Sequence, residues 1–141
     1  MKAVVFTGAG GNEVVRLDER PDPSPAGEEV VVGVRFAGLN PADLIQRAGS
    51  YPAPPGSRQD VPGLEVAGVV AECGERVTLW KPGERVLGLV GGEGLADSVL
   101  VHERCLAPVP ASLDDREAAA VPEAFITAHD AVRTQGRLTL A

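Results

Sequence analysis

The sequence is short of cysteine, of basic residues, of aromatics and of long apolar runs. Cys73 and Cys105 are its only two cysteines, and they stand far apart. Neither belongs to a Cys-x-x-Cys pair, which excludes a cysteine-rich zinc site; they read as reduced, semi-buried thiols. No stretch reaches the ~18 apolar residues that a membrane-crossing helix needs. The opening Met1-Lys2-Ala3-Val4-Val5-Phe6 has an apolar patch too short for a secretory signal and reads as a first strand, and the expectation is a cytoplasmic protein. Lys and Arg number 13 against 20 Asp and Glu, a net charge of −7. Such an acidic chain repels phosphate backbones and anionic lipid, which argues against nucleic acid and membrane surfaces as partners. The two histidines, His102 and His129, fall in no triad pattern and read as surface or helix-face residues.

What the chain does have is glycine and proline, 17 and 12 of them, about a fifth of its 141 residues. That is high for a helical protein and implies many turns between short strands. The length suits one domain with a core of its own. Residues 2–7 are a β-branched run that stops at the turn Gly8-Ala9-Gly10-Gly11. Val14, Val15 and Leu17 suit a second strand, ended by the proline-rich piece from Arg20 to Pro25. Val30, Val32, Val34 and Phe36 alternate on one face, with Arg35 opposite. Leu64 to Cys73 is apolar on nearly both faces, the pattern of a central strand. Lys81-Pro82-Gly83-Glu84 has the type II turn preference, Pro then Gly. Arg85–Val90 and Ala96–His102 read as two strands paired around the loop Gly91-Gly92-Glu93-Gly94.

Asn40-Pro41-Ala42-Asp43 opens a short helix: Asn caps, Pro suits the first helical position, and Asp43 suits the dipole. Leu44 and Ile45 supply its apolar contacts, and Gly49 ends it in a left-handed conformation. Beyond Pro110 the pattern turns helical, with Pro122 as an interruption. Strands followed by helix argue either α+β or a mainly β fold with short helices and a terminal helical appendage, and the many short strands favour a barrel. Gly8-Ala9-Gly10-Gly11 is not a dinucleotide fingerprint, because its spacing is wrong and no helix follows.

Four stretches carry a family resemblance: Gly38-Leu39-Asn40-Pro41-Ala42-Asp43, Pro62-Gly63-Leu64-Glu65-Val66-Ala67-Gly68, Trp80-Lys81-Pro82-Gly83-Glu84-Arg85-Val86, and residues 119–128 from Ala119 to Ala128. In order and spacing they resemble the N-terminal domain of the medium-chain dehydrogenase/reductase superfamily. The resemblance implies a GroES-like, partly open β-barrel over residues 1–141. Residues from about 115 would then lead towards a nucleotide-binding Rossmann domain that is absent here. In the zinc alcohol dehydrogenases of that superfamily a Cys stands where this chain has Asn40, and a His where it has Leu64. Losing a thiolate and an imidazole removes two of three protein ligands for a catalytic zinc. The resemblance therefore narrows to the zinc-independent quinone oxidoreductases, for which Asn-Pro-Ala-Asp is typical.

That resemblance implies hydride transfer from NADPH to a quinone, with no metal. Asn40 and Tyr51 would contact cofactor and substrate, and Thr127 would lie near the nicotinamide carboxamide. Each has a local alternative: Asn40 as a helix cap, Tyr51 as a packed ring with a wet hydroxyl, Thr127 bonding back to a helix carbonyl. Glu65 is expected to be satisfied by a local hydrogen bond or ion pair, and Trp80 to pack on the barrel. The full-length protein would be a homodimer, and the chain alone would bind NADPH very weakly. Two other functions stay open: an enone or enoyl reductase of the same superfamily, and a non-catalytic GroES-like binding module.

Overall fold

The computed structural model describes residues 1–139. Seven strands and a few short helices build it. β1 (Lys2–Phe6) and β2 (Val15–Glu19) form an antiparallel pair. β3 (Glu29–Ala37), β4 (Glu65–Cys73), β5 (Arg85–Leu89), β6 (Ser98–His102) and β7 (Leu106–Pro108) form a second sheet in the order β6-β3-β4-β5-β7. Every pairing in it is antiparallel.

The small sheet docks on the large one through the segment after the glycine loop. Val4 N–H donates to the Leu95 carbonyl and Asp97 N–H to the Lys2 carbonyl, while Val34 N–H reaches the Asp97 carbonyl. The result is a curved, partly open barrel rather than a closed one. Its core is valine-rich: Val30, Val32, Val66, Val70, Val86, Val99 and Val101 pack with Leu106. β-Branched side chains suit this half-buried pleated surface. β4 lies between β3 and β5, as its two-sided apolar pattern requires.

Three details differ from the sequence expectation. β5 and β6 do not pair with each other: β5 lies between β4 and β7, and β6 adds to the outer edge of β3. The loop between them turns instead onto residues 61–63, with Glu93 N–H on the Val61 carbonyl and Gly94 N–H on the Gly63 carbonyl. Phe36 is exposed although Val30 and Val32 are buried. An irregularity in register between Val34 and Phe36 breaks the alternation there. Leu44 and Ile45 are also exposed, and the helix buries Asp43 and Gln46 instead.

Several polar devices hold the loops. Lys81–Glu84 makes the expected turn, with Gly83 at φ +95°. Trp80 packs beside the core, as expected, and donates its indole N–H to the Glu103 carbonyl. Asp115, first residue of α2 (Asp115–Ala119), accepts from Arg35 at the end of β3 and from Arg85 at the start of β5. Those two guanidinium groups, Arg35 foremost, hold its carboxyl below the usual Asp range, although burial opposes them. α2 packs on Ala67 and Leu87 through Ala118 and Ala119. Residues 122–135 follow as a helical stretch around α3 (Thr127–His129). Its outward residues Phe125, Ile126 and Val132 are exposed.

Candidate functional site

α1 (Pro41–Arg47) begins beside the first residue of β4. Asn40, with extended φ −120° and ψ 154°, is its N-cap, and its backbone carbonyl accepts the Asp43 N–H at 3.0 Å. The Asp43 carboxylate accepts the Asn40 backbone N–H at 2.8 Å. Its other oxygen accepts the Gly63 N–H at 3.1 Å. Asp43 is therefore more than a charge on the helix dipole: it is buried and ties α1 to the chain entering β4. Gly63, at φ +109°, crosses so close to the Gly94–Leu95 backbone that a Cβ there would overlap it.

The side chain of Asn40 turns to β4 and donates through Nδ2 to Glu65 Oε1 at 3.0 Å. Glu65 is only 4% exposed, and its Oε2 accepts the backbone N–H of Glu123 at 2.9 Å. A buried carboxylate needs donors, and here each oxygen has one. The expectation that hydrogen bonds satisfy Glu65 is met, though the partners lie 25 and 58 residues away in sequence rather than locally. The fit is close, because a Cβ on Gly38 would fall on the Glu65 carboxylate. Glu123 lies one helical turn before Thr127, so Glu65 joins the elements that carry Asn40 and Thr127. Thr127 itself is exposed.

Tyr51 sits apart from this group. It is 39% exposed and lines a cleft of about 500 Å³ with Phe6, Gly8, Ala9, Gln46 and Asp60. Neither Asn40 nor Thr127 lines that cleft. The end of α1 forms one wall: Gly49, at φ +81°, lies against Ala9, and Gly10 N–H donates to the Arg47 carbonyl. Gln59 braces the following loop, accepting from Ala53 N–H and donating to the Ala53 carbonyl. A phenol beside Phe6 in such a cleft suits a flat, partly aromatic ligand.

The donor set around Asn40 does not suit a zinc ion. Leu64 offers no ligand, the Asn40 amide nitrogen is a hydrogen-bond donor, and both oxygens of Glu65 are engaged. Among the described residues, no group of three His, Cys, Asp or Glu side chains is placed to hold a metal. The glycine run at residues 8–11 leads into a single turn, Asn12–Val14, and then β2, so it offers no helix N-terminus for a phosphate. No helix of the described residues is long and apolar enough to cross a membrane.

The N-cap spacing made Asn40 visible in the sequence. Asp43 was visible as the third residue after it, but its bond to Gly63 was not. Nothing local announces that the Glu123 N–H reaches Glu65.

Residues 26–111 match the family described as the alcohol dehydrogenase GroES-like domain. The synaptic vesicle membrane protein VAT-1 homolog-like of Mus musculus is 35% identical over 129 residues, covering 92% of this chain and 31% of that protein. The quinone oxidoreductase of Lama guanicoe is 34% identical over 135 residues, covering 94% of this chain and 40% of that protein. The crystal structure of Escherichia coli quinone oxidoreductase complexed with NADPH superposes with a TM-score of 0.83 at 28% identity, over 96% of this chain and 41% of that one. The chain thus spans about a third of the length of the curated relatives it matches.

Proposed function

The chain belongs to the alcohol dehydrogenase GroES-like domain family, and from that premise we propose that it is the catalytic domain of an NADPH-dependent, zinc-independent quinone oxidoreductase. In this reading residues 1–141 are one catalytic domain, and the stretch from about 115 runs towards a nucleotide-binding domain. The protein would be cytoplasmic and act as a homodimer. The observation that carries the reading is the hydrogen bond from Asn40 to Glu65. It engages the Glu65 carboxylate, beside an amide and an aliphatic side chain, while the nearby Asp43 carboxylate is taken by the Asn40 and Gly63 N–H groups, which leaves no donor set for a Lewis acid. The acceptor must then be electrophilic without a metal, and a quinone is. The resemblance to quinone oxidoreductases, one of them complexed with NADPH, supports the same reading.

When bound, the dinucleotide supplies a hydride. The work of this chain is orientation. Asn40 and Thr127 would hold the nicotinamide end by amide and hydroxyl hydrogen bonds. Tyr51 would donate a hydrogen bond from its hydroxyl to the acceptor oxygen as negative charge develops there, and solvent would supply the proton that completes the hydroquinone. Phe6 would flank the ring of the acceptor in the Tyr51 cleft.

The test is a steady-state comparison of benzoquinones and enones with the two-domain protein proposed here. Faster turnover of quinones is the expected result. A preference for enones would make the protein a C=C reductase instead, and stoichiometric zinc in the purified protein would remove the metal-free mechanism.

A further inference from the structure

We infer that Glu65 is a positioning residue, whose single carboxylate sets both the Asn40 amide and the helix that carries Thr127; this rests on the reading of the site just given. Its two oxygens are used separately. Oε1 takes the Asn40 side-chain amide at 3.0 Å and Oε2 takes the Glu123 backbone N–H at 2.9 Å. The donors come from places distant in sequence, the start of α1 and the start of the terminal helical stretch. An ionised carboxylate only accepts hydrogen bonds, so it decides which end of the Asn40 amide faces it. The nitrogen must turn to Glu65, and the amide oxygen turns away from it.

Two features mark this as a built arrangement. Glu65 is 4% exposed, so water does not compete for its oxygens. Gly38 leaves the space its carboxylate occupies, since a Cβ at residue 38 would overlap it. Gly38 N–H also donates to the Glu65 backbone carbonyl at 3.2 Å, which holds the two residues in step. A glutamine at position 65 would keep the shape but carry only one acceptor oxygen. It could serve Asn40 or Glu123, not both on opposite sides.

The first experiment uses the 141-residue chain and no cofactor. Solvent exchange of the Asn40 side-chain NH2 and the Glu123 backbone N–H is measured by NMR in the unmutated chain and in Glu65→Gln. The Asn40 NH2 proton that faces Glu65 and the Glu123 N–H should each exchange at least about ten-fold more slowly than exposed amides in the unmutated chain. Glu65→Gln should lose that protection at one or both positions. Equal protection at both positions in the two proteins would overturn the inference. Should Glu65→Gln not fold, the unmutated chain still decides. Exposed-amide exchange rates at either the Asn40 NH2 or the Glu123 N–H would show that the carboxylate does not hold that donor, and would overturn it.

The second experiment separates this inference from the reading of the site. In the two-domain protein, Glu65→Gln should lower kcat for quinone about ten-fold with a smaller change in KM. If Asn40→Ala impairs turnover and Glu65→Gln leaves it unchanged, the positioning role falls and the site stands. If neither changes turnover, the reading of the site falls.

Discussion

Trp80 donates its indole N–H to the backbone carbonyl of Glu103 at 2.7 Å, while the carboxylate of the same Glu103 accepts the N–H of Leu79, the residue before Trp80. Two parts of the chain are thus gripped from both ends of one residue. The Glu103 carboxylate also accepts from the Thr78 N–H. The Leu79 donor first, then the Thr78 donor, holds the carboxyl below the ordinary value of 4.5, although burial opposes them.

A pH dependence follows from that grip. The unfolded chain protonates Glu103 near its ordinary value of 4.5, whereas the folded chain keeps it ionised to lower pH. Between the two values the unfolded state binds more protons, so stability rises with pH there. The contribution is complete above the unfolded value and is lost as pH falls through the folded one. Urea midpoints for the unmutated chain and Glu103→Gln, measured from pH 7 down to pH 3, should converge as the pH drops. A difference that stays constant would show that the carboxylate charge has no part in it.

The two thiols should differ in reactivity. Cys105 is exposed. Cys73 is half-buried with its sulfur 3.6 Å from the Trp80 carbonyl; burial first, then the charges of Glu84 and Glu103, pushes its thiol up. Since the thiolate is the nucleophile, an aromatic disulfide reagent at pH 8 should modify one thiol on the order of ten-fold faster than the other. Peptide mapping should find the fast one at Cys105. Equal rates would contradict the packing described around Cys73.

Gly38→Ala should destabilise the chain by about 1–3 kcal/mol, the usual cost of forcing a carbon into a filled site. The new Cβ meets the Glu65 carboxylate, so the loss should appear together with faster exchange of the Asn40 amide. Denaturant unfolding gives the first quantity and NMR the second. An unchanged midpoint would mean that Glu65 can yield without cost.

Tyr51→Phe, in the two-domain protein, should reduce quinone turnover roughly 10- to 100-fold, the value of one hydrogen bond to an oxygen gaining negative charge. Overall stability should hardly change, because the side chain is 39% exposed. Steady-state rates with a benzoquinone measure this, and an unaltered kcat/KM removes Tyr51 from the site.

The 141-residue chain by itself should bind NADPH very weakly. Among the described residues, the glycine run at 8–11 leads into a single turn and a strand rather than a helix N-terminus that could take the pyrophosphate. Isothermal titration should therefore show no saturation at micromolar NADPH. Micromolar affinity would mean that a phosphate cradle exists elsewhere in the chain.

Local features were the most legible in the sequence. The Pro82-Gly83 turn, the Gly49 helix end and the two-sided β4 each depend on a few adjacent residues, and each was found where expected. Pairing was not legible in the same way. β5 and β6 follow one another through a glycine loop, yet they sit at different places in the sheet, because alternation fixes a face but not a neighbour. Phe36 shows the same limit on a smaller scale, since an irregular register shifts the face and leaves no mark in the pattern. At the site, Asn40 was legible from its cap and its motif. The bond that orients it was not, because Glu65 lies 25 residues away. Leu44 and Ile45 misled because apolar spacing on a seven-residue helix cannot tell a buried stripe from an open one.

The large sheet finishes, at one end, in a strand of only three residues, Leu106–Pro108, the last of which has no N–H to give. A foreign β-segment seeking a template would find little backbone there to continue from. That rim therefore gives a second molecule little purchase for edge-to-edge growth.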